Sequence, residues 1–238
     1  MYKINNSLHN PNFEWISDSK NRDPTFEIVE HLRDYDENSD TAQSAYYRQR
    51  LNNRKRQLVC HLSRSPVNVQ PGLVRWVVGE VGVVPPGKRG GGIKETTYKP
   101  EYVPKSDGIL MLKPIYDHII ILDNMDWQEQ LVVDDQYFLA CESGLRQELS
   151  SRNNLSSSVT ATKGNVYMLF GKGKTAIRSP IPEEFLNSIV IEKDILRLED
   201  NRALAWSASL KLTVETAEDG SGESQLVFRG SGKVLLLP

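Results

Sequence analysis

The sequence predicts an all-β protein: a short mixed N-terminal lead-in followed by three diverged copies of one β-module in tandem. Three observations carry this. Leu131 to Leu145 (LVVDDQYFLACESGL) aligns without a gap on Leu196 to Leu210 (LRLEDNRALAWSASL), with five of 15 positions identical. The apolar residues recur with the period of strands. Turn signals interrupt at short intervals: Pro71-Gly72, Pro85-Pro86-Gly87, Ser106-Asp107-Gly108, Gly171-Lys172-Gly173 and Gly230-Ser231-Gly232.

Taken in order, residues 1–56 form a polar lead-in, with an acidic loop at 34–40 and a basic run at 48–56. One helix is expected there, from Thr41 to Leu51, with Asp40 or Thr41 as its N-cap and Asn52-Asn53 ending it. The lead-in is expected to lie against the first module, residues 57–115, which holds the fainter third copy: Gly72 to Val81 (GLVRWVVGEV), then Ser106 to Leu112 (SDGILML). The second and third modules span 116–181 and 182–238. Beyond the 15-residue match they share Met168-Leu-Phe-Gly-Lys-Gly-Lys174 and Val227-Phe-Arg-Gly-Ser-Gly-Lys233. In the second, Val166, Met168 and Phe170 alternate with Tyr167 and Leu169, so both strand faces are covered. In the third, Leu210, Leu212 and Val214 alternate with Lys211 and Thr213, giving an inward and an outward face. A second short helix is expected near Ile181 to Asn187.

Composition limits the function classes. A chain of 238 residues with 39% hydrophobic and 25% charged residues is ordinary globular material. A net charge of −2 gives no global field for nucleic acid or anionic membrane. The N-terminus has no secretory pattern, and no apolar run approaches membrane-spanning length, so a soluble cytoplasmic protein is expected. The two cysteines, Cys60 and Cys141, read as buried free thiols in a reducing compartment.

Each candidate for chemistry has a plainer explanation. Gly87-Lys-Arg-Gly-Gly-Gly-Ile93 offers backbone N–H groups to an anion, yet lacks the Gly-Lys-Ser/Thr and helix of a P-loop, and reads as an inter-module loop. Gly171 to Lys174 and Gly230 to Lys233 recur at matching places and read as turns. Arg48, Arg50, Arg54, Lys55 and Arg56, with Tyr46 and Tyr47, form the best nucleic-acid candidate, against the acidic loop beside them. His9, His31, His61 and His118 are too scattered for a metal site, and Cys60 and His61 point to opposite faces of a strand. Cys141 aligns with Trp206, which marks it as core rather than nucleophile. Trp76 and Trp206 lie at comparable places in their modules and read as core or module-interface residues.

The motifs Gly72 to Val81, Gln136 to Leu145, Ala203 to Leu210 and the terminal Phe228-Arg-Gly-Ser-Gly-Lys-Val-Leu-Leu-Leu-Pro238 resemble the mitochondrial-biogenesis family named for altered inheritance of mitochondria. The start Met-Tyr-Lys-Ile-Asn-Asn and Arg54-Lys55-Arg56-Gln57-Leu58-Val59 are similar to its variant from low-GC Gram-positive bacteria. The resemblance runs over essentially the whole chain. It implies a fold like the tryptophan RNA-binding attenuation protein, three double-stranded β-helix or β-sandwich modules in pseudo-threefold arrangement, and homo-oligomers, trimers above all. It assigns no catalytic, cofactor-binding or metal-binding residue. The Gly-rich stretch is shortened to Gly87–Ile93, and Thr162 to Val166 and Ser221 to Ser224 replace the family's Gly-Glu-Gly turns.

The leading expectation is therefore a non-enzymatic oligomeric β-scaffold or interaction protein, with Val234 to Leu237 adding subunit contact. Two alternatives stand beside it. One is a nucleic-acid-binding module using the 48–56 segment; the other is a small-ligand binder or enzyme with a pocket at a module junction, near Trp76 or Trp206.

Overall fold

The computed structural model describes residues 12–16, 25–32, 39–51, 53–88, 96–151, 165–199, 202–217 and 223–238. In the lead-in lie β1 (Phe13–Ile16), β2 (Phe26–His31) and the helix α1 (Ser39–Arg50). Next come β3 (Arg56–His61), β4 (Val67–Val69), β5 (Val74–Val84), β6 (Gly87–Lys88), β7 (Thr96–Thr97) and β8 (Glu101–Leu112). The middle region holds β9 (His118–Asp123), a 3-10 turn at Asn124–Trp127, β10 (Gln130–Asp134), β11 (Phe138–Glu142), β12 (Arg146–Ser151), β13 (Asn165–Phe170) and β14 (Lys174–Ser179). A 3-10 turn at Glu183–Phe185 leads into β15 (Asn187–Leu198), β16 (Ala203–Ser207), β17 (Lys211–Thr216) and β18 (Ser224–Leu236).

The all-β class is borne out: the strands form two curled antiparallel sheets and one small β6–β7 ribbon. One sheet runs β1-β2-β3-β8-β4-β11-β14-β9, with β5 also on β8; the other runs β12-β13-β10-β16-β18-β15, with β17 also on β18. The segments aligned in sequence occupy matching rungs. Leu131 faces Leu169 as Leu196 faces Phe228, and Cys141 faces Thr175 as Trp206 faces Val234. Burial drives this pattern: Leu131, Leu169, Cys141, Phe228 and Val234 are all fully buried. The apolar residues gather into three large clusters and a small fourth one, in which β1, β2, β3, β5 and β8 meet around Val29, Val59 and Met111.

Several expectations need correction. The helix starts at Ser39, two residues before Thr41, so Asp40 and Thr41 lie inside it. The second helix is only the 3-10 turn at Glu183–Phe185. Gly171 to Lys174 is a turn between β13 and β14, but Gly230 to Lys233 lies within β18, where Gly230 at φ +123° sits beside a bulge. Trp76 and Trp206 do not correspond. Trp76 faces Met111, whereas the rung matching Trp206–Val234 is Val77–Leu110, one residue on. A shift of one residue turns a side chain to the other face of its strand. Trp206 is therefore buried against Phe228, while Trp76 joins the small fourth cluster, half-buried. Val234, Leu235 and Leu236 are buried within their own chain, so they offer no subunit contact. Residues 89–93 of the Gly87–Ile93 loop, residues 34–38 of the acidic loop, His9, 162–164 and 221–222 lie outside the described residues.

Candidate functional site

The basic run, the strongest candidate in the sequence, is engaged within the chain. Arg56 Nη2 reaches Glu30 Oε2 at 2.7 Å and Arg54 Nη1 donates to Glu30 Oε1 at 3.2 Å. The Arg48 guanidinium stands 3.8 Å from the Tyr116 ring centroid and Lys55 Nζ 5.2 Å from it. Arg50 Nε donates to the Tyr46 hydroxyl at 3.2 Å. These side chains tie α1 and β3 to β2 and to the segment ahead of β9. Arg54 and Arg56 share one carboxylate, and Arg48, Lys55 and Arg50 are held by tyrosines.

Arg56 and Glu30 also face an open cleft of about 1110 Å³ between the lead-in strands and β9. Ile16, Ile28, Ile119 and Ile121 give it apolar surface, and His118, Asp123, Asp126, Glu183 and Glu184 add polar groups. These residues meet because β2 pairs β3 from Phe26–Cys60 to Glu30–Arg56, while β9 forms the far end of the same curled sheet. Burial, then the nearby Arg56 guanidinium, holds the His118 imidazole below its ordinary range, against the pull of Glu30, Glu184 and Asp117. It is neutral at pH 7. With Glu30 spent on the arginines, the remaining four carboxylates make the cleft acidic, a field that repels phosphate. Neither Trp76 nor Trp206 lines it.

The other candidates stay apart. His31 bonds Gln57 at 2.6 Å and His61 bonds Glu27 at 2.6 Å. Among the described residues no group of three or more His, Cys, Asp or Glu is placed to hold a metal. Cys60 and Cys141 are free and fully buried, and burial pushes both thiols far up, so neither is a thiolate nucleophile. Sequence reasoning missed Glu30, Thr25 and Glu142 as partners. Thr25 Oγ1 donates to Glu142 Oε1 at 2.5 Å and the Lys174 amide to Glu142 Oε2 at 2.9 Å, contacts between residues distant in sequence. It also missed Lys99, a buried lysine whose Nζ lies 2.9 Å from Asp135 and 4.6 Å from the Tyr167 ring centroid.

Two curled antiparallel sheets, with His31, His61, Arg54 and Arg56 paired inside the chain, define an all-β protein. The chain belongs to the mitochondrial biogenesis AIM24 family, whose model matches residues 49–238. It is similar in fold to the crystal structure of protein SPYM3_0169 from Streptococcus pyogenes. The TM-score is 0.57 and the identity 15%, over 95% of this chain and 93% of that one. No protein of curated function matches the chain. In the described residues no helix is long and apolar enough to cross a membrane.

Proposed function

We propose that this chain is a non-enzymatic cytoplasmic β-scaffold that assembles with copies of itself, built from three units of one plan in tandem. One observation carries the reading: the seam between neighbouring regions recurs in the same register. Val67, Asn68 and Val69 of β4 pair with Glu142, Cys141 and Ala140 of β11. Leu131, Val132 and Val133 of β10 pair with Ser207, Trp206 and Ala205 of β16. Ala140, Cys141 and Glu142 align in sequence with Ala205, Trp206 and Ser207, so the receiving strands meet the seam in the same register. A bulge also recurs in the strand that receives the seam, at Val74/Trp76, Phe138/Ala140 and Ala203/Ala205. Repeated units that seal onto each other this way make a rigid body suited to display and assembly. The trimer and the attenuation-protein-like arrangement rest on the family resemblance, and two buried unpaired thiols fit a reducing compartment.

Light scattering at micromolar concentration tests the reading. The expected result is a homo-oligomer, a trimer first, and the mass of a single chain would overturn it. The nucleic-acid alternative draws little support, because Arg48, Arg54, Lys55 and Arg56 are committed to Tyr116 and Glu30. A gel shift at low salt that vanished when Arg54, Lys55 and Arg56 were neutralised together would revive it.

A further inference from the structure

The seam that joins neighbouring regions has one donor strand and one acceptor strand left over. In the two inner seams a strand of one region (β4, β10) pairs with the bulged strand of the next (β11, β16). By register, the remaining donor is the C-terminal half of β15, since Leu196 takes the place of Leu131. The remaining acceptor is the N-terminal half of β5, since Val77 takes the place of Cys141 and Trp206. Among the described residues β15 pairs only with β18, and β5 only with β8. We propose that the β15 edge of one copy pairs with the β5 edge of a second copy of this chain, antiparallel, with Leu196 opposite Val78 and Leu198 opposite Trp76. This rests on the self-assembling scaffold reading and names its contact.

Burial supports the assignment. In the inner seams Leu131, Val133, Val67, Val69, Ala140 and Cys141 are 0% exposed, and Trp206 is 3% exposed. At the outer edges Val77 is 37% exposed, and Leu196 and Leu198, the counterparts of Leu131 and Val133, are only partly buried. Long exposed apolar edges are unusual, because they recruit other strands. The packing behind the edges says the same. The acceptor side of each inner seam sends residues into the preceding core: Ala140 and Ala176 into one cluster, Ala205 and Leu235 into the next. Their counterparts on the first region, Trp76 and Met111, meet only the small fourth cluster. Leu196 and Leu198 stand at the margin of the last large cluster, partly buried, with no such cover from a following region. A second copy supplies it. Charge agrees, since the same register sets exposed Glu199 near exposed Arg75. The contact is heterologous, so it closes into a ring or grows as a filament according to its rotation.

Cysteine cross-linking tests this. The amide of Ser143 bonds the Pro66 carbonyl and that of Gln70 the Leu139 carbonyl, both at 2.9 Å, which leaves Glu142–Val67 a close, non-hydrogen-bonded pair. The matching outer pair is Val78–Leu196. A mixture of full-length Val78→Cys and Leu196→Cys chains should give a disulfide-linked dimer under mild oxidation, which neither variant gives alone. The native thiols are buried and give little background. A Val77→Lys variant should lose assembly by light scattering and keep its unfolding temperature as a monomer. If the double variant instead closes a disulfide within one chain, the edges meet intramolecularly and the inference falls. An oligomer that survives Val77→Lys and yields no cross-link overturns the contact and leaves the scaffold reading standing. A single-chain mass for the unmodified protein overturns both.

Discussion

The middle region, residues 118–179, and the C-terminal region, residues 187–236, use the same strand pairings with different continuity. In the middle, β9 pairs β14 in one sheet and β10 pairs β13 in the other. The chain breaks at Asn124–Trp127 and again at Gly171–Gly173 to change sheets. In the C-terminal region β15 and β18 run through both pairings, bending at a bulge between Ile191 and Asp194. The break in the middle is built by side chains. Asp123 accepts from the Met125 amide at 2.9 Å, and the buried Asn124 amide donates to the carbonyls of Leu169 at 3.1 Å and Gly171 at 2.7 Å. The bend in the C-terminal region uses backbone and hydroxyls: Lys193 at φ +52°, its amide on Ser231 Oγ at 2.9 Å. Pairing register is thus set separately from strand continuity. Of the broken strands β10, β13 and β14 have neighbours on both sides and β9 ends its sheet, whereas the continuous β15 presents its whole length as an edge.

Matched substitutions break or sharpen this contrast. Leu131→Ala empties a fully buried site in the middle and should cost about 2–5 kcal/mol in chemical denaturation. Leu196→Ala, on the matching rung but only half-buried, should cost well under half of that in the monomer. Equal losses would erase the contrast. Asn124→Ala should cost about 1–3 kcal/mol, because two buried carbonyls lose their donor. The matching bend in the C-terminal region has no buried amide to lose, so Ser231→Ala should cost only about 0.5–1.5 kcal/mol.

The long β5–β8 hairpin allows a second comparison. Gly79 at φ +103° lies with its absent Cβ directed at the Asp107 carbonyl oxygen, whereas a Cβ on Gly230 would stand 3.5 Å from the nearest atom, the Ser209 carbonyl oxygen. Gly230→Ala should therefore cost about 1–2 kcal/mol of backbone strain alone. Gly79→Ala should add about 1–3 kcal/mol of overpacking to a similar strain. The smallest effect belongs to the surface of the C-terminal region. Arg229 Nη2 donates to Glu215 Oε2 at 2.8 Å, and these bonds, with one from Thr213, hold the Glu215 carboxyl down at about 2. A depressed carboxylate stabilises the fold above its ordinary value of 4.5, and that contribution fades as pH falls from there through about 2. A carboxyl NMR titration should place the Glu215 midpoint near 2, and a midpoint at 4.5 would show that the pair does not form.

Legibility in the sequence followed the same division. The match of residues 131–145 with 196–210 was readable because apolar positions, turn length and the downstream Gly motif agree, and the structure puts both on matching rungs. The first region was readable only in outline. Its strand β5 is continuous where the middle region turns from β11 into β12, so no turn anchors the alignment against a one-residue offset. That offset is why Trp76 looked like the counterpart of Trp206. In the lead-in, β1 and β2 were missed because charged residues interrupt their apolar ones: Glu14, Glu27 and Glu30 sit in strands held by ion pairs and ladder bonds. Of the cleft, the sequence named Arg56 and His118 but could not bring them together.

By itself the sequence determined the strand class, the repeated rungs and the inert character of both cysteines, because those follow from local periodicity and from which side chains avoid water. The tertiary structure alone decided which edges are sealed, where the basic run spends its charge and which face each tryptophan takes. Such outcomes depend on partners scores of residues away, and on registers where one step reverses the side-chain direction.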